Sequence, residues 1–157
     1  MKISAARICK VKRAPTAFDG MGAALEPGRW NRAGRRMVYT SECPALAFLE
    51  ILIHADGDLM PNYVLISLTF DDNLVEAVDP AALPPGWISL QEPAWAPLQH
   101  LGTSWLDSLR TPVLRVPTVI VPDQCNYLLN PAHPDFAKIS IGHPQVFAPD
   151  PRWQSTS

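Results

Sequence analysis

Residues 44–54, Pro44-Ala45-Leu46-Ala47-Phe48-Leu49-Glu50-Ile51-Leu52-Ile53-His54, are nearly all apolar except for one carboxylate. The pattern predicts a helix packed into a core, and helical spacing puts Glu50 on the side of Leu46 and Ile53. A carboxylate withdrawn from water is costly unless something pairs with it or uses it. Any fold of this chain must therefore bring polar partners or a ligand to Glu50. Two unusual strings precede it, Gly28-Arg29-Trp30-Asn31 and Val38-Tyr39-Thr40-Ser41. Together these features predict a pocket with a cationic and aromatic entrance and a carboxylate at its base. Such a pocket suits a ligand bearing phosphate or sugar.

With 157 residues and 47% hydrophobic content the chain is long enough for one domain with a real core. A net charge of −2 gives no electrostatic footprint for non-specific nucleic-acid binding, so direct DNA binding is not expected. Basic residues do gather early, at Lys10, Lys12, Arg13, Arg29, Arg32, Arg35 and Arg36. The Arg32, Arg35 and Arg36 group reads as a solvated loop face or a contact for an acidic partner segment. Cys9, Cys43 and Cys125 are odd in number and widely spaced, and the four histidines form no ligand-spaced motif. Reduced thiols and no metal site are expected. Met1-Lys2-Ile3-Ser4 lacks the apolar segment of a signal peptide, and no apolar run is long enough to span a bilayer. The expected location is the cytoplasm, away from membranes.

The pattern predicts a strand over 3–11 and a long loop over 18–36 with one turn of helix. A brief strand follows at 38–40, and Ser41 is the expected N-cap of the helix bearing Glu50, with Pro44 in its first turn. Residues 63–70 are the clearest strand, apolar and β-branched. Residues 75–78 predict another, and the proline-rich stretch 80–97 reads as connection. Leu98, Leu101, Trp105 and Leu109 keep helical spacing, while 113–121, 127–129, 139–141 and 146–147 predict further strands. Irregular order and few helices argue α+β, with a mixed, mainly antiparallel sheet core, over a doubly wound sheet.

The strings Gly28-Arg29-Trp30-Asn31, Val38-Tyr39-Thr40-Ser41, Leu46-Ala47-Phe48-Leu49-Glu50, Val116-Pro117-Thr118 and Asn126-Tyr127-Leu128-Leu129-Asn130-Pro131-Ala132-His133 occur in the order of a RES domain. The resemblance covers nearly the whole chain, to Phe147-Ala148-Pro149-Asp150-Pro151-Arg152. It implies a single RES domain over residues 1–153, a frayed tail at 154–157, and a fold similar to ADP-ribosyltransferases. RES-domain proteins are toxins of bacterial toxin–antitoxin pairs whose antitoxin carries an Xre-type DNA-binding domain. The resemblance thus implies a hetero-oligomer with an Xre-type antitoxin, reaching DNA only through that partner. The family's activities consume NAD+, by hydrolysis or phosphorolysis in some members and by ADP-ribosylation of a protein in at least one. The resemblance therefore implies NAD+ as substrate and cleavage of the nicotinamide–ribose bond.

That chemistry asks for the residue types present. Nicotinamide leaves an anomeric carbon through an oxocarbenium-like transition state, which a nearby carboxylate stabilises. Glu50 is assigned that role. A diphosphate calls for guanidinium donors, with Arg29 first and Arg7 second. Arg7 stands where ADP-ribosyltransferase folds place an Arg or His on their first strand. Tyr39 is expected to stack on nicotinamide, Trp30 and Asn31 to line the pocket beside Arg29, and Asn126 to bond sugar or amide groups. Thr118 replaces the family's Ser, keeping the hydroxyl but adding a methyl that restricts its rotamer.

Blander readings stand beside these. Glu50 is alternatively a structural carboxylate paired with Arg29 or capped by Tyr39. His133 reads as a turn brace, and His54 as a satisfied helix-end histidine near Glu50. A non-catalytic module retaining an NAD-shaped pocket is the remaining alternative to an enzyme.

Overall fold

The computed structural model describes residues 1–54, 62–89, 91 and 94–154. The tail beyond Gln154 lies outside them, while Gln154 itself closes a short 3-10 turn, Pro151–Gln154. Eight strands form one sheet: β1 (Lys2–Lys10), β2 (Val38–Ser41), β3 (Tyr63–Asp71), β4 (Val75–Ala77), β5 (Val113–Pro117), β6 (Cys125–Leu129), β7 (Ser140–Ile141) and β8 (Gln145–Phe147). Their spatial order is β4-β5-β6-β2-β1-β3-β7, with β8 also pairing with β3. The β4–β5 pair is parallel and the other pairings are antiparallel. Among the described residues three α-helices accompany it: α1 (Met21–Leu25), α2 (Pro44–His54) and α3 (Ala96–Ser108). The α+β expectation with a mainly antiparallel sheet agrees with this architecture. No helix among the described residues is long and apolar enough to cross a membrane.

Alternation along the strands sorts side chains between two faces. On one face Ala5, Val38, Phe70, Val113, Tyr127 and Leu129 form a core, with Phe70 and Tyr127 edge to face at 5.3 Å. On the other, Leu114, Val116 and Leu128 pack beneath α3 against Leu98, Trp105, Met37 and Trp30. Farther along that second face Ala6 and Ile8 meet Ala47, Phe48 and Ile51 of α2. Small residues at Ala6 and Ala47 let helix and strand approach closely, and this seats α2 on β1.

Several boundaries differ from expectation for physical reasons. Ser41 belongs to β2, paired with Ala6 and Asn126, so it does not cap α2. Cys43 occupies that position, and its carbonyl accepts the first helical bond from Ala47 at 3.1 Å. The strand expected over 113–121 ends at Pro117, because the chain turns there and Thr118 N–H returns to Gln124 at 3.1 Å. Ile53, expected beside Leu46, is 56% exposed because the last turn of α2 projects beyond the core, whereas Leu46 is buried.

The string Asn130-Pro131-Ala132-His133 finishes α3 from outside. Leu109 ends the helix in the left-handed region at φ 52°, leaving terminal carbonyls to satisfy. Asn130 Nδ2 donates to the Leu106 carbonyl at 3.2 Å, and His133 Nε2 to the Leu109 carbonyl at 2.9 Å. Because His133 Nδ1 accepts from Asp135 N–H at 2.9 Å, the ring proton sits on Nε2. His133 is a brace.

Candidate active site

Glu50 stands where α2 passes the ends of β5 and β6. Asn126 Nδ2 donates to Glu50 Oε1 at 2.8 Å, and Thr118 Oγ1 donates to the same oxygen at 3.1 Å. Thr118 Oγ1 also accepts from Ile120 N–H at 3.1 Å, which leaves its proton for the carboxylate. Glu50 Oε2 faces His54 Nε2, one helical turn away, at 3.7 Å. The Glu50 side chain is 23% exposed, so it is half-buried rather than sealed in the core. Burial pushes its pKa up, but the neighbouring His54 imidazole and hydrogen bonds from Asn126 and Thr118 outweigh that and hold it below the ordinary value. The result is an ionised carboxylate with one oxygen anchored and the other facing His54.

The competing structural reading of Glu50 named Tyr39 as a cap. Tyr39 is otherwise engaged: its hydroxyl donates to Asn31 Oδ1 at 2.6 Å and accepts from Trp30 N–H at 3.2 Å. Burial drives the Tyr39 pKa far up, so the phenol stays neutral and keeps its proton for Asn31. Asn31, fully buried, accepts a second bond from Gly28 N–H at 2.9 Å and donates to the Ala23 carbonyl at 2.7 Å. Trp30 is 3% exposed and packs in the core under α3. Trp30, Asn31 and Tyr39 therefore build the loop that carries Arg29. Tyr39→Phe is expected to lower stability by about 1–3 kcal/mol, since it orphans buried polar groups, measurable by chemical denaturation.

Arg29 emerges from this loop among aromatic rings. Its guanidinium lies 5.0 Å from the Trp95 ring centroid, and Nη1 donates to the Trp87 carbonyl at 3.3 Å. Burial lowers its pKa, while Glu50 and then Tyr39 oppose that shift. The guanidinium thus shares the electrostatic environment of the carboxylate.

Arg7 is placed differently. It shares a face of β1 with Ala5 and Cys9, whereas Ala6 and Ile8 face α2. Strand β1 pairs with β2 only at Ala6 and Ser41, and Arg7 Nη1 reaches into the opening to donate to the Tyr39 carbonyl at 2.8 Å. Burial lowers the Arg7 pKa, with Cys9 and Asp19 opposing. Arg7 Nε and Asn126 Oδ1 are buried without a hydrogen-bond partner. Each of these two atoms keeps a hydrogen bond to offer to water or to a polar ligand.

The fold therefore gathers Glu50, Thr118, Asn126 and His54 into direct contact and sets Arg29 within electrostatic range. Arg7 occupies the split between β1 and β2. Among the described residues, no three His, Cys, Asp or Glu side chains converge as a metal-binding group. Arg35 is ion-paired with Asp107, and Arg32 Nη2 lies 3.2 Å from His100 Nδ1, so much of the expected basic face is engaged internally. Sequence reasoning missed the support from α3. Gln99 Nε2 donates to the Gly28 carbonyl at 2.9 Å, and Thr103 Oγ1 accepts from Arg32 N–H at 3.3 Å. A Cβ on Gly102 would stand 1.9 Å from the Trp30 carbonyl oxygen. A glycine inside a helical pattern is the one local signal of such an approach.

Comparison with known proteins agrees with the strings that carry the resemblance. The sequence model described as "RES domain" matches residues 4–151. A Sphingobium protein named "Prs ADP-ribosylating toxin" is 38% identical over 139 residues, covering 86% of this chain and 85% of that protein. A Yersinia enterocolitica protein named "Toxin Res" is 34% identical over 148 residues, covering 93% and 96%. The crystal structure of the Mycobacterium tuberculosis MbcT-MbcA toxin–antitoxin complex contains a chain similar in fold, with a TM-score of 0.70 at 14% identity, covering 98% of this chain and 87% of that one. With nearly the whole sheet and the candidate site inside the matched region, this chain belongs to the RES domain family.

Proposed function

We propose that this chain is the toxin of a toxin–antitoxin pair and that it cleaves NAD+ at the nicotinamide–ribose bond. One observation carries the reading: a half-buried, ionised Glu50 whose Oε1 is locked by Thr118 and Asn126 while Oε2 stands beside His54. As the C–N bond breaks, its electron pair leaves with nicotinamide and positive charge grows on the ribose. A fixed carboxylate stabilises that charge without reorganising. Arg29 supplies a guanidinium for the diphosphate, and the orphaned Oδ1 of Asn126 supplies an acceptor for a ribose hydroxyl or the amide. The incoming nucleophile bonds to the anomeric carbon and releases its proton. Arg7 is assigned to the adenosine–phosphate side through the split between β1 and β2. In this reading Trp30 and Asn31 hold the Arg29 loop, and Tyr39 both anchors that loop and flanks the nicotinamide end.

Water or phosphate as nucleophile gives NAD+ depletion and growth arrest. A protein side chain gives mono-ADP-ribosylation, and the name of the Sphingobium relative favours that second outcome. Both share the bond-breaking step, and the reaction belongs in the cytoplasm, where NAD+ is available. An antitoxin, expected to be Xre-type, would neutralise the toxin in a hetero-oligomer. Brief expression without antitoxin, with cellular NAD+ and labelled-NAD+ incorporation followed together, separates these outcomes. Unchanged NAD+, no labelled protein and normal growth would refute all catalytic readings.

Asn126→Asp gives a sharper check. It sets a second carboxylate beside Glu50 Oε1, where the donor now stands at 2.8 Å. Two like charges at that range cannot both ionise easily, so the pair's upper pKa rises. The acid limb of the pH–rate profile is expected to move up by more than about one unit. An unmoved limb would remove Asn126 from contact with the working carboxylate.

A further inference from the structure

The backbone on both sides of Arg29 is held by identifiable partners. Gly28 N–H donates to Asn31 Oδ1, the Gly28 carbonyl accepts from Gln99 Nε2, Trp30 N–H donates to Tyr39, and the Trp30 carbonyl lies against Gly102. Asn31, Tyr39 and Gly102 sit within packed structure, whereas Gln99 is half-buried at the start of α3. Gln99 also stands one turn from Trp95, whose carbonyl accepts from Gln99 N–H at 2.9 Å. The same helical turn therefore grips Arg29 twice, with the Trp95 ring under its guanidinium and Gln99 on its backbone. Residues four apart on a helix share a face, so the two grips are rigidly coupled.

We propose that Gln99 is a positioning residue: by holding the Gly28 carbonyl it fixes where the Arg29 guanidinium leaves the loop, and so sets affinity for a nucleoside diphosphate. This rests on the assignment of Arg29 to the NAD+ diphosphate. Gln99 acts through Arg29 and need not touch ligand. A structural brace would lower stability wherever it was cut. A positioning residue loses its effect on binding once the residue it positions is gone.

The test is a double-mutant cycle on ADP-ribose binding, measured by calorimetry with the purified chain. Gln99→Ala is expected to weaken binding about fivefold, the loss of one hydrogen bond, with the thermal midpoint within about 2 °C of wild type. Gln99→Glu, of equal length but without an N–H, is expected to show a comparable loss. In an Arg29→Ala background, Gln99→Ala is expected to add nothing. Equal losses in both backgrounds, or wild-type affinity in Gln99→Glu, would overturn the proposal. NAD+ consumption by the wild type is followed in parallel. Turnover with unchanged Gln99→Ala affinity refutes the positioning role and keeps the enzyme. The expected cycle without turnover does the reverse, and a wild type that binds no ADP-ribose overturns both.

Discussion

Replacing Glu50 with Gln is expected to lower NAD+ consumption by about 10²–10³-fold, the scale for removing one preorganised electrostatic group, while the fold survives. The amide has the size of the carboxylate, and its oxygen still accepts from Asn126 and Thr118 at the anchored position. What disappears is the negative charge facing the anomeric carbon. The same substitution has a signature in stability. The Glu50 pKa is held below its ordinary value of 4.5 by the His54 imidazole and by hydrogen bonds from Asn126 and Thr118, which together outweigh burial. A group with a depressed folded-state pKa stabilises the fold above its unfolded value, and that contribution is lost as pH falls through the folded value. The wild-type thermal midpoint is therefore expected to fall toward that of Glu50→Gln on acidification below pH 4.5. Nicotinamide release and thermal unfolding across pH measure the two effects. A folded Glu50→Gln chain with full turnover would end the catalytic assignment.

Gly102→Ala is expected to do damage that helix propensity would not foresee. In an exposed helix the change favours the folded state by about 1 kcal/mol. Here the added Cβ would meet the Trp30 carbonyl oxygen at 1.9 Å and its carbon at 2.9 Å. Neither atom belongs to a flexible side chain, so α3 or the Trp30 backbone must move. Overpacking of this kind costs about 1–3 kcal/mol, occasionally more, and wins. At about 2–4 °C per kcal/mol for a domain of this size, the net loss is expected to lower the thermal midpoint by roughly 2–8 °C. ADP-ribose affinity should fall with it, because the displaced segment carries Arg29. Calorimetric unfolding checks the first outcome and ligand titration the second. An unchanged or raised midpoint would show that the loop gives way freely and is not clamped by α3.

Much of the architecture could be read locally. Residues 63–70 formed a strand because β-branched and apolar residues alternate there, and 98–109 predicted a helix because four large apolar residues keep its period. The errors fell where a long-range contact overrides local preference. Ser41 is a good cap by type, yet Asn126 and Ala6 recruit it into the sheet. Ile53 is apolar, yet among the described residues no core extends beneath the last turn of α2 to cover it. Trp30 and Asn31 stand out in sequence because they adjoin Arg29, and only the fold shows that they are also buried and bonded within that loop.

Sequence alone determined that Glu50 is chemically out of place in an apolar helix, that many short strands with few helices make an α+β fold, and that ordered strings align the chain with RES domains. These follow from residue type and short-range period, which the chain carries wherever its segments end up. Tertiary structure alone decided that Asn126 and Thr118 share one oxygen of Glu50, and that α3 clamps the arginine loop. It also set Arg7 in the gap between β1 and β2. The contacting residues are 68 and 76 positions apart in the Glu50 bonds and 71 in the Gln99 bond. Such meetings depend on strand order and on how closely two backbones approach, quantities that no local run of residues encodes.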